Sequence, residues 1–215
     1  MKFSSHRSVK GDEMRLEAGI RQNTHVRLEP LAEQHCADLR LACDADPDVW
    51  ARLYPVNWGG EGFDAAWDEL AGRQARGEWI AFAVMVEGRC RGMTAYIRPD
   101  AANAAVEVGG TYYHPALRSG AVNPAAKRLM LAYAFEAGAR RVQLNVDALN
   151  LRSRAAVLKL GAVQEGILRQ DRVVWTGRVR DTVVFSILAS EWPAVRARLD
   201  ERLAMFEDGG TTPGG

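Results

Sequence analysis

The sequence predicts a mixed α+β domain, within the broad α/β class, and three observations carry that reading. Strand-like runs with apolar residues at every second position alternate with helix-like runs whose apolar residues recur at three and four. Hairpin signals occur twice, around Glu87, Gly88 and Arg89 and again around Thr176, Gly177 and Arg178. The chain has 215 residues, 47% apolar and 26% charged, which suits one core in an ordinary soluble domain.

Each element follows from a local pattern. Residues 1–24 are polar, mix charges and lack periodicity, so they read as a flexible extension. A single domain is expected over 25–206, with the Gly/Thr/Pro-rich residues 207–215 as a disordered tail. The alternation from Val26 to Leu31 marks a first strand that Pro30 ends. Residues 31–43 place Leu31, His35, Leu39 and Ala42 on one helical face. A loop-rich stretch then leads to a helix over 63–77, closed by Gly77. The first hairpin spans 79–99, a strand covers 104–113, and a helix over 124–137 turns Ala126, Leu129, Met130, Tyr133, Ala134 and Ala137 inward. RVQLNVD alternates Val142, Leu144 and Val146 against polar residues, and NLRSRAAVLKLG is a helix stopped by Gly161. The second hairpin ends in DTVVFSIL, after which Ser190 caps a last helix with Trp192, Val195, Leu199 and Leu203 facing the core.

Composition excludes several function classes. With 28 Lys+Arg against 27 Asp+Glu the net charge is +1, so neither nucleic acid nor a membrane surface is an expected partner. No secretory segment and no apolar run of roughly 18 residues occurs, which makes the cytoplasm the expected location. Cys36, Cys43 and Cys90 match no metal-ligand spacing, so they read as small buried side chains and no metal is expected.

One connection stands out chemically: RSGAVNP, Arg118 to Pro124, just ahead of a helix. The first turn of a helix leaves N–H groups unpaired and carries partial positive charge. Small residues let an anion reach those donors, and Arg118 adds a charged fork. Asn123 suits the N-cap and Pro124 the first helical position. An ordinary capped strand-to-helix connection accounts for the same residues. Neither GxGxxG nor GxxxxGK[ST] is present in it.

Three stretches, EVGGTYYHPALRSGAVNPAAKRLMLAYAF, RRVQLNVDALNLRSRAAVLKLGAVQEG and GRVRDTVVFSILASEWPAV, resemble in order the GNAT superfamily of acetyl-CoA-dependent N-acetyltransferases. The branch they look most like is the ribosomal-protein N-terminal acetyltransferases of the RimJ/RimL type. The resemblance runs from about Val26 to Leu203. It implies the GNAT fold, a central and mostly antiparallel splayed sheet flanked by helices. It also implies acetyl-CoA as cosubstrate, with coenzyme A and an amine acceptor (a protein N-terminus or a small molecule) as partners and a homodimer as a possible assembly. The family's splayed strand falls on Val106–Tyr113 and its R-x-x-G-x-G/A loop on Arg118–Asn123. Contacts to coenzyme A are then implied for Thr111, Tyr113, Arg118, Ser119, Gly120, Ala121, Val122, Asn123, Asn150 and Ser153. Ala121 stands at the first motif glycine, where alanine is strained if the backbone requires positive φ.

The reaction implied is amine attack on a thioester, which needs alignment, an oxyanion donor and removal of a proton. The resemblance makes the backbone N–H of Tyr113 the oxyanion donor. The superfamily's tyrosine for the leaving thiolate falls at Val157 and is absent, and Ser153, one helical turn past Asn150, resembles the serine of NxxS in this branch. Ser153 is read either as the group serving the sulfur or as a helix-start hydroxyl bonded to backbone. Glu107 is the candidate base; simple alternation sends it to one face with Gly109 and Thr111, and a structural ion pair is its other reading. His114 reads as a loop histidine, and Arg169, Arg172, Arg178 and Arg180 as a solvated charged turn that could instead meet an anion. Trp50, Tyr54, Trp58 and Trp67 line an acceptor pocket or pack a core. A coenzyme A-binding module without turnover is the alternative to an enzyme.

Overall fold

The computed structural model describes residues 14–208. The first thirteen residues of the expected extension and most of the expected tail lie outside them. One sheet of eight strands runs in the order β1-β2-β3-β4-β5-β6-β8-β7. The strands are β1 (Arg21–Gln22), β2 (Arg27–Pro30), β3 (Trp79–Val86), β4 (Arg89–Asp100), β5 (Ala105–Tyr113), β6 (Arg141–Asp147), β7 (Val163–Val173) and β8 (Val179–Leu188). Every neighbouring pair is antiparallel except β5 and β6, which are parallel. The helices are α1 (Cys36–Asp44), α2 (Asp48–Leu53), α3 (Phe63–Ala75), α4 (Val122–Glu136), α5 (Leu151–Leu160) and α6 (Trp192–Asp208).

Period-two alternation puts a different core on each face of the sheet. Phe82, Val84, Val106, Val108, Val142, Leu144, Val183, Phe185 and Ile187 pack with α4 and α6. Ala81, Ala83, Ala95, Ile97 and Tyr112 pack with α1, α2 and α3. Local chemistry closes the turns: Glu87 (φ 51) and Gly88 (φ 75) both take the left-handed values that a two-residue hairpin demands.

The start of order needs correction. Met14 is buried, Arg15 N–H donates to Ala137 O at 3.3 Å, and the Arg21 guanidinium lies 3.4 Å from the Tyr133 ring centroid. Residues 14–24 are therefore docked on α4 rather than free. Cation–π contact and burial hold a segment whose own pattern is polar. Ser190 is not the last cap either: α6 begins at Trp192, and it is Glu191 O that accepts Val195 N–H at 3.1 Å.

Two features of β5 open the sheet. Ala95 pairs with Gly109 and Met93 with Tyr112, so β5 spends three residues where β4 spends two. Gly110 is the extra residue of this bulge, with φ 56, and a Cβ there would lie 2.6 Å from the Trp79 ring. On its other side β5 pairs with β6 at only three positions, ending at Glu107 and Gln143. Beyond them the two parallel strands diverge into a cleft.

Candidate active site

The bulge decides which side chains share a face. Glu107 lies opposite the α4 face: its Oε2 accepts from Asn145 Nδ2 at 2.9 Å and faces Arg98 Nη2 at 3.4 Å. Thr111 lies on the α4 face, where its hydroxyl meets Lys127 Nζ at 2.7 Å and Thr94 Oγ1 at 2.9 Å. The expected grouping of Glu107 with Thr111 is thus wrong, because the extra residue inverts the alternation between them. Burial raises the Glu107 carboxyl, opposed by Arg98 and Asn145.

Tyr113 pairs with Gly92, and the next N–H, that of His114, donates to Arg91 O at 2.8 Å. Antiparallel pairing alternates inward and outward backbone groups, so the Tyr113 N–H turns away from β4, toward the gap left by β6. Tyr54 Oη donates to Thr111 O at 2.9 Å at the same level. His114 Nδ1 accepts from Ala116 N–H at 3.2 Å and faces Arg91 Nη2 at 3.1 Å. Burial lowers its pKa, and it serves the loop as expected.

The phosphate-type loop differs from its expected form in three ways. Helix α4 starts at Val122 with Ala121 as its cap residue, so Asn123 is inside the first turn and does not cap. Ala121 has φ −69 and is unstrained; the left-handed residue is Ser119, with φ 67. Arg118 is paired with Asp46, between α1 and α2, and lies 5.7 Å over the Tyr112 ring. The loop still presents donors. Ala125 N–H makes the first intrahelical bond, to Ala121 O at 2.9 Å, and Pro124 has no N–H. The amides of Val122 and Asn123 therefore open the helix without an intrahelical acceptor.

Across the cleft, Asn150 caps α5: its Oδ1 accepts Ser153 N–H at 3.0 Å. No hydrogen bond of the Ser153 hydroxyl is seen among the described residues, where its backbone N–H is held by Asn150. Val157 is buried in the core. Trp50 and Trp58 are also buried, in the core under α1–α3, which favours packing over pocket lining for both. Cys43 and Cys90 are buried and all three cysteines are free; burial pushes the Cys90 thiol up to about 11.

Several charged residues near the cleft are more buried than the sequence suggests. Arg178 and Arg180 are not a solvated turn: Arg178 Nη2 reaches the buried Asp147 Oδ2 at 2.5 Å, and Arg180 is itself buried. Trp175 ties their turn to α2 through Nε1 to Trp50 O at 3.0 Å. Lys127 lies within the helical pattern of α4 yet is enclosed. A charged letter carries no mark of burial, and only the tertiary register reveals it.

A model of an acetyltransferase (GNAT) domain matches residues 25–163, which span β2 through α5 and so the bulge, the cleft and both helix starts. The chain belongs to the GNAT acetyltransferase family. Solved GNAT relatives agree: a T. thermophilus protein assigned as an acetyltransferase is 36% identical with TM-score 0.79, over 88% of this chain and 100% of that one. A GCN5-related N-acetyltransferase from Brucella melitensis is 31% identical with TM-score 0.79, over 87% and 86%. Mycobacterium smegmatis RimJ, solved with a CoA disulfide, shares the fold at TM-score 0.71 and 21% identity, over 82% and 88%. No curated protein matches the chain. A mostly antiparallel sheet, splayed at the one parallel pair β5/β6 that joins its two antiparallel halves, is the architecture the resemblance implies.

Proposed function

We propose that this N-acetyltransferase takes acetyl-CoA as cosubstrate and passes the acetyl group directly to a primary amine held in the β5/β6 cleft. The observation that carries the reading is the divergence of β5 from β6 with the Tyr113 N–H turned into the gap. The unpaired amides at the start of α4 fit a pyrophosphate, with Ser119, Gly120 and Ala121 leading up to them. RimJ, solved with a CoA disulfide, supports the choice of cosubstrate. Bound acetyl-CoA supplies an activated thioester.

The chain's residues then have separable tasks. Tyr113 N–H faces the oxygen on which negative charge grows. Glu107, raised by burial, takes the proton that leaves the amine, directly or through water. The free Ser153 hydroxyl returns a proton to the departing sulfur. One N–C bond forms, one C–S bond breaks, and one proton leaves nitrogen while one joins sulfur. An N-terminal α-amine, with pKa about 7.7–8.0, loses its proton more readily than a lysine at about 10.4, so α-amines suit this site best. Asn150 fixes Ser153 by capping its helix. The cytoplasm is the location consistent with the free cysteines.

Thiol release from acetyl-CoA, with a peptide bearing a free N-terminus as acceptor, tests the assignment in the parent and in Ser153→Ala. General acid assistance is worth about 10²–10⁴-fold, so kcat is expected to fall within or below that range while coenzyme A affinity holds. A merely structural hydroxyl would leave kcat intact. Coenzyme A binding without release to any amine would make the domain a binding module.

A further inference from the structure

Arg180, at the start of β8, is a buried cation that the reaction leaves unused. Its side chain is 7% exposed, and its buried Nε finds no hydrogen-bond partner among the described residues. Its Nε stands 3.8 Å from Asp147 Oδ2, beyond hydrogen-bond reach. That carboxylate is already engaged by Arg178 at Oδ2 and by Leu149 N–H, 3.0 Å away, at Oδ1. The next carboxylate, Asp171, accepts from Arg172 Nε at 2.7 Å and Thr182 Oγ1 at 2.8 Å. Glu107 belongs to Asn145 and Arg98. Two guanidiniums thus share Asp147, and the more buried one, Arg180, holds it only as a 3.8 Å ion pair without a hydrogen bond, in a place where burial penalises its charge.

The position of that charge matters. Val183, Phe185 and Ile187 of β8 face the helical core, so Arg180, Thr182 and Ser186 face the other way, on the side of Glu107 and Asn145. The register Asp147↔Thr182 sets Arg180 just past the end of β6, the strand that walls the open part of the cleft. The β7–β8 turn closes over this side through Trp175, whose N–H donates to Pro55 O at 3.3 Å.

We propose that Arg180 anchors a carboxylate-binding subsite beside the cleft, so that the acceptor is an amine carrying a carboxylate near its reacting nitrogen. A guanidinium offers a planar fork that suits a carboxylate, and an incoming anion would supply the hydrogen-bond partner the fold omits. The inference rests on the acetyl-transfer reading above. Two sources share this chemistry: a free α-amino acid, through its own carboxylate, and a peptide N-terminus followed by Asp or Glu.

Matched acceptors test it by thiol release: peptides with Asp against Asn at the second position, and free amino acids against their α-carboxamides. In the parent the carboxylate member of the favoured pair is expected to lead by roughly 10- to 100-fold in kcat/KM, mainly through KM. The pair that shows the lead identifies the source. In Arg180→Gln the ratio should collapse toward one, and Arg180→Lys should keep part of it. Equal turnover of both members in the parent overturns the subsite while leaving acetyl transfer standing, and needs no variant to fold. A ratio that survives in folded Arg180→Gln, judged by melting temperature, also overturns it. No release with any amine sinks the transfer reading and this inference together.

Discussion

Lys127 is a buried lysine facing two hydroxyls, with its Nζ 2.7 Å from Thr111 Oγ1 and 3.4 Å from Thr94 Oγ1. No carboxylate pairs with it among the described residues, and burial pulls its pKa down to about 7. The unfolded chain would titrate this group near 10.4, so between the two values the unfolded state holds the extra proton. Stability contributed at this site therefore rises as pH climbs from about 7 toward 10, and the full cost of burying the charge applies below 7. Melting temperatures of the parent and of Lys127→Met, at pH 6.5 and 9.5, check this. The parent should gain on the variant at the higher pH, and a constant gap would mean that the ammonium finds a partner in solution. Residues of this kind were illegible in the sequence. Arg178 and Arg180 read as a solvated turn, and Lys127 drew no notice, because helical and strand periodicity assign charged side chains to solvent and only packing shows otherwise. The cap at Asn150 is a local feature, since a cap acts within three residues of itself, whereas a part for Ser153 at the sulfur rests on the resemblance.

At the scale of elements, most of the sheet could be read from alternation and turn chemistry: β6 falls on RVQLNVD, and the Glu87–Gly88 turn sits where the hairpin signal placed it. What alternation misled was β5, since one inserted residue moves every later side chain to the other face. Gly110 holds that insertion. It combines φ 56 with the Trp79 ring, 2.6 Å from any added Cβ. Gly110→Ala should straighten or displace β5 and move the Tyr113 N–H with it. A shift near 1 Å at such a donor is worth roughly 10²-fold in rate, with left-handed strain costing about 1–2 kcal/mol besides. Parallel measurement of kcat and melting temperature separates the two, and an unchanged kcat would show that the bulge does not position the donor. The loop ahead of α4 gives the same lesson in reverse. Small residues before a helix were legible there, yet the left-handed position is Ser119, not Ala121, because backbone register depends on where the helix starts.

Across the whole molecule, the sheet is covered differently in its two halves. Helices α4, α5 and α6 pack against one face over β2–β6 and β8, while α1–α3 pack against the other face over β3–β5. Over β6 and β8 the same face carries a polar row of Gln143, Asn145, Asp147, Arg180 and Ser186, of which Asp147, Arg180 and Ser186 are buried. Neither this partition nor the β5/β6 divergence is a property of any one segment, so pattern and composition alone stopped at a mixed α+β domain. The order of three motifs carried the reading further, to a splayed sheet with a nucleotide-type turn beside it. In the proposed reaction the acetyl group moves directly from sulfur to nitrogen within the cleft and never rests on the protein. Rapid-quench measurement of thiol release from the preformed acetyl-CoA complex, with and without amine, tests it most directly. Release is expected only when amine is added, with a rate that saturates in amine, whereas one equivalent of thiol released per chain in its absence would contradict the claim by revealing an acyl-protein.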